Sequence, residues 1–439
     1  MSIKIRNARV SLFLLIDLLR GGKVQKEYKY LEQYLKNSSY EKLKSFQSEK
    51  LSRILTHAQE YCEFYKAHQE TNDIDSVPVI NKTIVNNNIK KFLSSRFKSS
   101  SDLGKVVTTS GSTGSPFSVI HGKQKISSHS AEVIFFNELA NFRFGDRLYY
   151  FRIWDKLVHK SQVKAFVQNL VLMDSSSLDC VTFQTKVLKK LEKEISGVSM
   201  LAYASTLEAF SNCLPKTKFK GKVNSIISMS ETLPDGSREK LENYFRCHVV
   251  SRYSNMENGM IALQIPKNGY KYLVNEVGFY LEILKLNSSK KAEIGEVGRI
   301  VVTDLNNFAQ PLVRYDTGDV GSVCYDYFDG VRRLFLNKIE GRRVDFITDV
   351  SGNLISPHVI TNSMWKHKLV RQFQFIQLDT SEYKLILNVA SKSNEVISPI
   401  VEDITHYIGS GARIAVEFTD EIPVLKSGKR KKVVNLMKV

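Results

Sequence analysis

Helical periodicity dominates the first part of the chain. Over residues 27–68, leucine, isoleucine and phenylalanine recur at spacings of three, four and seven, which predicts helices with one buried face. The segment 37–39 interrupts this pattern. We therefore expect two helices there, with Ser39 as the N-terminal cap of the second.

Residues 10–19 form an apolar run that contains a single charged residue, Asp17. The run is too short to cross a bilayer. Two interpretations stay open for it. One is a helix packed on its own domain, and the other is an amphipathic helix over residues 8–20 that lies on a membrane surface.

Strand-like and helix-like segments alternate from about residue 105 to residue 320. Strands are predicted over residues 105–109, 148–153, 223–228 and 249–253, and helices over residues 125–141, 187–195 and 235–245. This alternation is typical of an α/β sheet with helices on both faces. The segment 278–340 is richer in strands and in Gly/Asp turns, which predicts a β-rich subdomain.

The chain beyond Gly341 predicts a smaller unit. Its expected elements are a short hairpin, a helix from Pro357, strands at 371–378 and 383–390, a helix at 396–408 and a strand at 413–418. We therefore expect a multi-layer α/β protein with a smaller α+β C-terminal domain. The predicted divisions are an N-terminal helical segment packed on the large domain, the large α/β domain and the C-terminal domain, at residues 1–75, 76–342 and 343–439.

Charge and composition narrow the classes of function. The chain of 439 residues has 63 lysine and arginine residues against 45 aspartate and glutamate residues, a net charge of +18. Such an excess suits nucleic acid, an anionic membrane or a polyanionic small molecule such as ATP, and it also occurs in ordinary lysine-rich proteins. With 42% hydrophobic residues, the chain is not globally disordered.

The five cysteines include no Cys-x-x-Cys pair. Their spacing argues against a zinc ribbon and against a disulfide framework. We therefore expect reduced, mostly buried thiols in a cytoplasmic protein.

Three segments carry candidate chemistry. The Ser/Gly-rich loop 109–116 follows a predicted strand and offers backbone amides to a phosphate. The run 253–257 ends another predicted strand, where α/β proteins bind ligands; its Tyr253 suits stacking on a base and its Glu257 suits a hard cation. The run 314–319 presents a carboxylate that suits a ribose diol. The alternatives are ordinary turns, a surface glutamate and a core tyrosine.

Two shorter motifs follow in order, Gly341-Arg342-Arg343-Val344-Asp345 and Lys426-Ser427-Gly428-Lys429. Taken together, the five motifs resemble the adenylate-forming superfamily of acyl- and aryl-coenzyme A ligases, over about residues 40–435. Within that superfamily the chain is similar to the phenylacetate–coenzyme A ligase-like branch, which includes the CapK-like proteins of capsular-polysaccharide clusters.

The resemblance implies a role for each motif. Lys429 is expected to be the catalytic lysine, Glu257 the magnesium ligand, and Arg343, Val344 and Asp345 the hinge. The acyl pocket is expected at Trp154, Tyr203 and Ser205. The expected nucleotide-binding residues are Ser110, Gly111, Ser112, Thr113, Gly114, Ser230, Glu231, Thr232, Tyr253, Ser254, Asn255, Asp319 and Arg342.

The implied activity is an ATP- and Mg²⁺-dependent activation of a carboxylic acid as acyl adenylate, followed by transfer to a thiol or an amine. Coenzyme A, an amino sugar and a carrier thiol are all open as acceptors. A role in capsule or O-antigen synthesis and a phenylacetate-type ligase are both open as well. The expected location is the cytoplasm, with contact to the inner face of the membrane as an option through residues 8–20. No nucleic-acid partner is expected, because no interleaved aromatic and basic motif is present.

The chain departs from the family pattern at three places. At the hinge, the acidic pair that is common there is reduced to Asp345, preceded by Val344. Phe117 and Ser118 follow Pro116, where a lysine is frequent. Ser254 and Met256 stand where glycine and threonine are usual, and a methionine side chain cannot donate a hydrogen bond to phosphate. A nucleotide-binding but catalytically degenerate scaffold is therefore the alternative to an active ligase.

Overall fold

The structure is a computed structural model, and it describes most of the chain. The described residues are 8–66, 73–97, 104–109, 117–152, 162–175, 178–367, 369–423 and 431–437.

The secondary structure is mixed α/β. The strands are β1 Lys105–Thr109, β2 Phe117–His121, β3 Leu148–Arg152, β4 Leu170–Asp174, β5 Val198–Tyr203, β6 Val223–Met229, β7 Val249–Asn255, β8 Gly259–Ile265, β9 Lys271–Val274, β10 Phe279–Leu284, β11 Gly298–Asp304, β12 Tyr315–Phe328, β13 Val331–Arg342, β14 Ile347–Thr348, β15 Leu354–Ile355, β16 Val370–Gln377, β17 Glu382–Val389, β18 Arg413–Phe418 and β19 Val433–Asn435. The α-helices are Ala8–Leu19, Lys23–Tyr30, Tyr40–Tyr61, Glu63–Lys66, Lys82–Asn87, Lys123–Leu139, Gln162–Val167, Cys180–Thr182, Lys189–Glu192, Ala204–Asn212, Asp235–Phe245, Pro357–Trp365 and Asn394–Ile408. The π-helical segments are Leu31–Asn37 and Phe183–Leu188, and the 3-10 turns are Ile74–Ser76, Ile89–Phe92, Pro266–Asn268 and Arg343–Asp345.

One 11-stranded sheet forms the centre of the large domain, in the order β10-β11-β12-β13-β9-β8-β7-β6-β5-β3-β4. The strands β4, β3, β5, β6 and β7 pair in parallel. From β7 to β10 every pairing is antiparallel. The parallel half explains the continuous apolar runs seen in the sequence, because β5 is buried at every position.

The strand predicted over residues 105–109 is present, but it lies outside the large sheet. It pairs antiparallel with β2 in a two-stranded ribbon, with Thr109 opposite Phe117. No strand is predicted at 117–121, although the alternation of buried and half-buried positions there has the period of a strand.

The N-terminal helices pack on the large domain. Ser39 accepts a hydrogen bond from the Lys42 amide at 3.4 Å and caps the helix Tyr40–Tyr61, as the sequence predicts. That helix is attached to the sheet by a buried cation, because the Lys50 ammonium donates to the Val277 carbonyl at 2.8 Å and to Asn306 at 2.7 Å.

Arg333 joins the helical segment to β13, and its side chain is fully buried. Its guanidinium donates to the carbonyl oxygens of Leu35, Tyr34 and Ser38 at 2.7, 3.1 and 2.6 Å. These carbonyls end the π-helical segment Leu31–Asn37, where a cation is favoured by the helix dipole.

The helix Ala8–Leu19 has one packed face and one exposed face. Val10 and Asp17 are buried, and the Asp17 carboxylate accepts from the amides of Val24 and Gln25, each at 3.0 Å. This packing agrees with the first interpretation of the apolar run. The exposed apolar side chains are Leu12, Leu15, Ile16, Leu18 and Leu19. Within the described part of the chain, no helix combines the length and apolar content that a membrane span needs.

The C-terminal unit has its own core and its own sheet. Its four strands are ordered β18-β17-β16-β19, and the helices Pro357–Trp365 and Asn394–Ile408 pack with them. The core of this unit draws only on residues from Ile347 to Val433. The predicted order of hairpin, helix, two strands, helix and strand is confirmed, as is the α/β class with a smaller α+β C-terminal domain.

The expectation of five reduced thiols is wrong for one pair. Cys180 and Cys213 form a disulfide, with their Cα atoms 5.2 Å apart. The two residues are 33 positions apart in sequence, and packing of the segment from Cys180 against the end of the helix Ala204–Asn212 brings them together. Cys62, Cys247 and Cys324 are free.

His121 anchors the end of β2. Its Nε2 lies 2.8 Å from the backbone oxygen of Glu257, so the neutral ring donates there. Burial lowers the pKa of His121 to about 4, and the charge of Lys125 acts in the same direction. The folded protein therefore holds this histidine neutral in a range where the unfolded chain would protonate it.

We predict that replacing Arg333 by methionine lowers the free energy of unfolding by about 3 kcal/mol, because the buried carbonyls lose a charged donor. Arg332→Met is the matched control. Arg332 is exposed and lies over the Tyr325 ring at 4.0 Å, so its loss costs about 1 kcal/mol. Urea denaturation of both variants measures the difference, and equal losses would contradict the role of Arg333.

We also predict that stability falls between pH 6.5 and about 4 because His121 resists protonation in the fold. The group's pKa is depressed, so its contribution is complete above the unfolded value and is lost at acid pH, with a slope of up to about 1.4 kcal/mol per pH unit. His121→Gln keeps a donor for the Glu257 carbonyl and removes this slope. Thermal melts from pH 7 to pH 4 test it, with His248→Gln as control, since the His248 side chain is 72% exposed. Identical pH profiles for wild type and His121→Gln would refute the prediction.

Candidate functional site

The carboxyl ends of neighbouring parallel strands gather the predicted site residues. β5 ends at Tyr203, beside Met229 at the end of β6, and β7 runs on to Asn255. Ser205, the segment 230–232 and Glu257 follow these ends directly. The structure thus brings residues from three strands to one edge of the sheet, where α/β proteins bind ligands.

Ser230 has an unusual backbone conformation, with φ at 74°. Left-handed backbone at a non-glycine residue stores strain, and such strain persists where surrounding structure enforces it. It turns the chain sharply after β6 and presents the exposed Ser230 and Thr232 beside the half-buried Glu231. These are the residues that the sequence analysis assigned to the adenine.

Tyr253 and Asp319 are directly hydrogen bonded. The Tyr253 hydroxyl lies 2.7 Å from Asp319 Oδ2 and 3.1 Å from Thr317 Oγ1. Burial raises the pKa of Tyr253, and the Asp319 charge adds to the effect, so the phenol stays a donor. Asp319 also lies opposite Arg342 across β12 and β13. Three predicted nucleotide-binding residues, far apart in sequence, therefore share one location.

Glu257 is positioned by two contacts, one from a tyrosine and one from a histidine. The Tyr315 hydroxyl donates to Glu257 Oε1 at 2.9 Å, and burial raises the pKa of Tyr315. His121 holds the backbone oxygen of Glu257. The carboxylate therefore has a fixed orientation at the mouth of the site.

The turn after β7 is closed by its own side chains. Asn255 Oδ1 accepts from the Asn258 amide at 2.8 Å, and Ser254 pairs with Met260 in β8. Gly259 has φ at +92°, and a Cβ there would lie 2.5 Å from the His129 ring. Met256 is 45% exposed on this turn. Asn255 thus has a structural role in the turn that sequence reasoning did not foresee.

Arg314, the first residue of the third motif, is a structural residue. Its guanidinium donates to both carboxylate oxygens of Glu282, at 3.2 and 3.0 Å, and to the Val77 carbonyl at 3.0 Å. Both side chains are buried. The pair fixes the segment 75–80 against β12, where Ile80 forms a bridge with Tyr315.

Lys82 is a site residue that the sequence analysis missed. It begins the helix Lys82–Asn87, two residues after Ile80, and its ammonium lies 5.7 Å from the centre of the Phe117 ring. Burial lowers the pKa of Lys82, while the Glu257 carboxylate opposes this effect and Arg342 adds to it. A cation therefore lies over Phe117, the residue that stands in place of the usual loop lysine, and the Glu257 charge acts on it. The absence of a lysine at position 117 was the one sign in the sequence that another cation was needed there.

The C-terminal unit contacts the helix that carries Ser205. The Lys432 ammonium binds both carboxylate oxygens of Glu208 at 2.9 and 2.7 Å, on the helix that follows Tyr203. Lys431 lies 3.0 Å from Asp345. Asp345 closes the 3-10 turn Arg343–Asp345, which contains the three predicted hinge residues.

Several predicted residues lie outside the described part of the chain. These are Ser110, Gly111, Ser112, Thr113, Gly114, Trp154 and Lys429.

The described residues suit a magnesium ion that is held jointly by protein and substrate better than a metal ion held by protein side chains alone. No group of three or more histidine, cysteine, aspartate or glutamate side chains could hold a metal ion within the described ranges. Magnesium is usually held by one or two carboxylates together with substrate phosphates and water. Glu257, with one oxygen engaged by Tyr315, suits that arrangement.

Comparison with known sequences finds similarity for part of the chain. Residues 347–436 match the family described as the CapK C-terminal domain. Protein CapK from Staphylococcus aureus is 24% identical over 224 residues, which are 49% of this chain and 47% of that protein. The matched region thus spans about half of the curated relative.

Comparison with solved structures covers most of the chain. A 2-hydroxyisobutyryl-CoA ligase in the postadenylation state, in complex with R3-HIB-AMP, aligns with a TM-score of 0.71 at 15% identity over 91% of each chain. ATP-bound MatB from Rhodopseudomonas palustris aligns with a TM-score of 0.56 at 14% identity, over 74% of this chain and 66% of that one.

The same 2-hydroxyisobutyryl-CoA ligase in the thioesterification state aligns with a TM-score of 0.55 at 16% identity, over 91% of each chain. The chain has the fold of the adenylate-forming coenzyme A ligases, and residues 347–436 match the family described as the CapK C-terminal domain.

Proposed function

We propose that this protein is an ATP-dependent, adenylate-forming ligase. The observation that carries the proposal is the meeting of Tyr253, Asp319 and Arg342 beside Glu257 at the carboxyl end of β7. The fold supports it, because it is shared with ligases that bind an acyl adenylate or ATP.

The reaction proceeds in two substitutions. A carboxylate oxygen of the acid attacks the α-phosphorus of ATP, the bond to the pyrophosphate oxygen breaks, and acyl adenylate and pyrophosphate form. A thiol or amine then attacks the acyl carbon and AMP leaves. The first step brings anions together, so the site must supply positive charge where negative charge develops.

The residues divide the substrate between them. The Asp319 carboxylate and Arg342 hold the ribose, with Tyr253 orienting Asp319. The segment 230–232 lines the adenine, and residues 110–114 hold the pyrophosphate. Glu257 is the ligand for Mg²⁺, which, when bound, neutralises phosphate charge.

We assign Lys82 to the phosphate side of the site. Phe117 and Ser118 provide no cation there, whereas the Lys82 ammonium lies over the Phe117 ring and interacts with Glu257. This assignment explains how an active ligase can lack the usual loop lysine, and it favours activity over the degenerate scaffold.

We assign to Lys429 the role of the lysine that enters the site from the C-terminal domain during adenylation. Lys432, three residues after Lys429, binds Glu208 of the large domain. For the second step the domain 343–439 rotates about the turn Arg343–Asp345. The segment 1–75 and the large domain 76–342 then form the fixed body.

The relatives support a proposal for the biological setting. The CapK C-terminal domain favours surface-polysaccharide synthesis, with an amino sugar as acceptor. Coenzyme A is the second candidate acceptor, because the neighbouring solved ligases act with it. The setting is cytoplasmic, and the exposed leucines of the helix Ala8–Leu19 offer a contact with the inner face of the membrane.

We predict that the protein releases pyrophosphate from Mg-ATP when it is given a panel of carboxylic acids. Lys429→Ala should lower the rate by about 1000-fold with little change in ATP affinity, because the lysine acts on the transition state. Calorimetric ATP binding provides the control. Wild-type protein that binds ATP without turnover on any acid would instead support the scaffold, and an unchanged rate in Lys429→Ala would remove this residue from its role.

We further predict that Lys82→Met lowers the adenylation rate by about 100-fold, because phosphate charge loses a partner. Lys90→Met is the matched control, since Lys90 is exposed nearby. Steady-state pyrophosphate release with both variants measures the difference. Equal rates in the two variants would show that Lys82 serves packing alone.

A further inference from the structure

Two arginines share one face of the parallel half of the sheet. Arg152 ends β3 and Arg252 lies in β7, on the opposite face of that strand from Tyr253. The Tyr150 hydroxyl accepts a hydrogen bond from Arg152 Nη1 at 3.4 Å. The same tyrosine also forms a hydrogen bond with the Arg252 side chain. Tyr203 at the end of β5 bonds with Arg152. The four side chains therefore form one cluster beside the predicted acyl pocket.

The hydrogen-bond partners of these arginines are neutral and incomplete. The Arg252 Nη2 group donates to the Met229 sulfur at 3.5 Å, and a thioether is a weak acceptor. The Nε atoms of Arg152 and Arg252 are both buried and have no hydrogen-bond partner within the described residues. A guanidinium has five N–H donors in a planar fork. Each of the two guanidinium groups therefore has at least one donor left for a further acceptor.

Within the described ranges, no salt bridge joins Arg152 or Arg252 to an acidic side chain. The acidic residue opposite Arg152 in the register of β3 and β4 is Asp174. Burial lowers the pKa of Arg252, and the charge of Arg152 acts in the same direction. Burial raises the pKa of Tyr203, and the Glu231 charge acts in the same direction. Two like charges held together by half-buried side chains are costly unless an anion joins them.

We propose that Arg152 and Arg252 bind a second anionic group on the acid that is activated, so that the substrate is a dicarboxylic acid rather than a simple fatty or aryl acid. The inference rests on the proposed function. One carboxylate of the acid would react at the nucleotide, and the other would accept hydrogen bonds from the paired guanidiniums, whose planar donors match a carboxylate. Tyr150 and Tyr203 keep the two arginines in place.

The test compares acids of equal length with and without the second carboxylate. Pyrophosphate release is measured with succinate against butyrate and glutarate against valerate, at saturating Mg-ATP. Wild-type protein should show a kcat/KM at least about 100-fold higher for each dicarboxylate. Arg152→Met and Arg252→Met should each lose about 100-fold for the dicarboxylates, keep the KM for ATP and leave the monocarboxylate values unchanged. Arg252→Lys should recover part of the loss, and Arg371→Met, at an exposed position, is the control.

Each outcome has one meaning. Equal or better use of monocarboxylates by the wild type overturns this inference and leaves the proposed function standing, and that comparison requires no variant. A raised KM for ATP in both variants, with every acid, assigns the arginines to the nucleotide phosphates and overturns it as well. Absence of pyrophosphate release with all acids overturns the proposed function instead. Melting temperatures of the variants separate loss of folding from loss of binding.

Discussion

Strand β7 pairs in parallel with β6 and antiparallel with β8, and the site depends on this change of direction. The parallel side brings the ends of β5 and β6 beside the end of β7. On the antiparallel side, the sheet continues through β8, β9 and β13 to β12. Strand β12 places Asp319 against the Tyr253 hydroxyl. Without that reversal, the residues around 253 and those around 319 would lie at different edges of the sheet.

Buried cations hold the layers around this sheet together. Arg333 ends a helical segment, Lys50 attaches the helix Tyr40–Tyr61, and Arg314 binds Glu282 and the segment near Val77. Lys125 lies 2.7 Å from Asp304, and both are fully buried. Part of the basic residues behind the net charge of +18 therefore serves internal structure, and this part says nothing about a polyanionic partner.

Local patterns predicted much of the fold, and long-range pairing explains the remainder. The strand near 223–228, the helix at 235–245 and the order of the C-terminal unit are confirmed because their apolar positions repeat with a clear period. The β1–β2 ribbon was missed because β2 is short and follows a polar loop. The disulfide, the position of Lys82 and the cluster of Arg152 with Arg252 depend on contacts between distant segments, which spacing along the chain does not encode. The sequence identified the motifs of the site, but it did not predict the hydrogen bonds between them.

The central claim is that a carboxylate oxygen attacks the α-phosphorus of ATP at the end of β7. Transfer of ¹⁸O from a labelled acid tests it most directly, because the account requires the oxygen that bridges acyl group and phosphorus to leave with AMP. We predict that one ¹⁸O atom per turnover appears in AMP, measured by mass spectrometry after addition of coenzyme A or an amine. Label that appears in inorganic phosphate together with ADP, and not in AMP, would contradict the account.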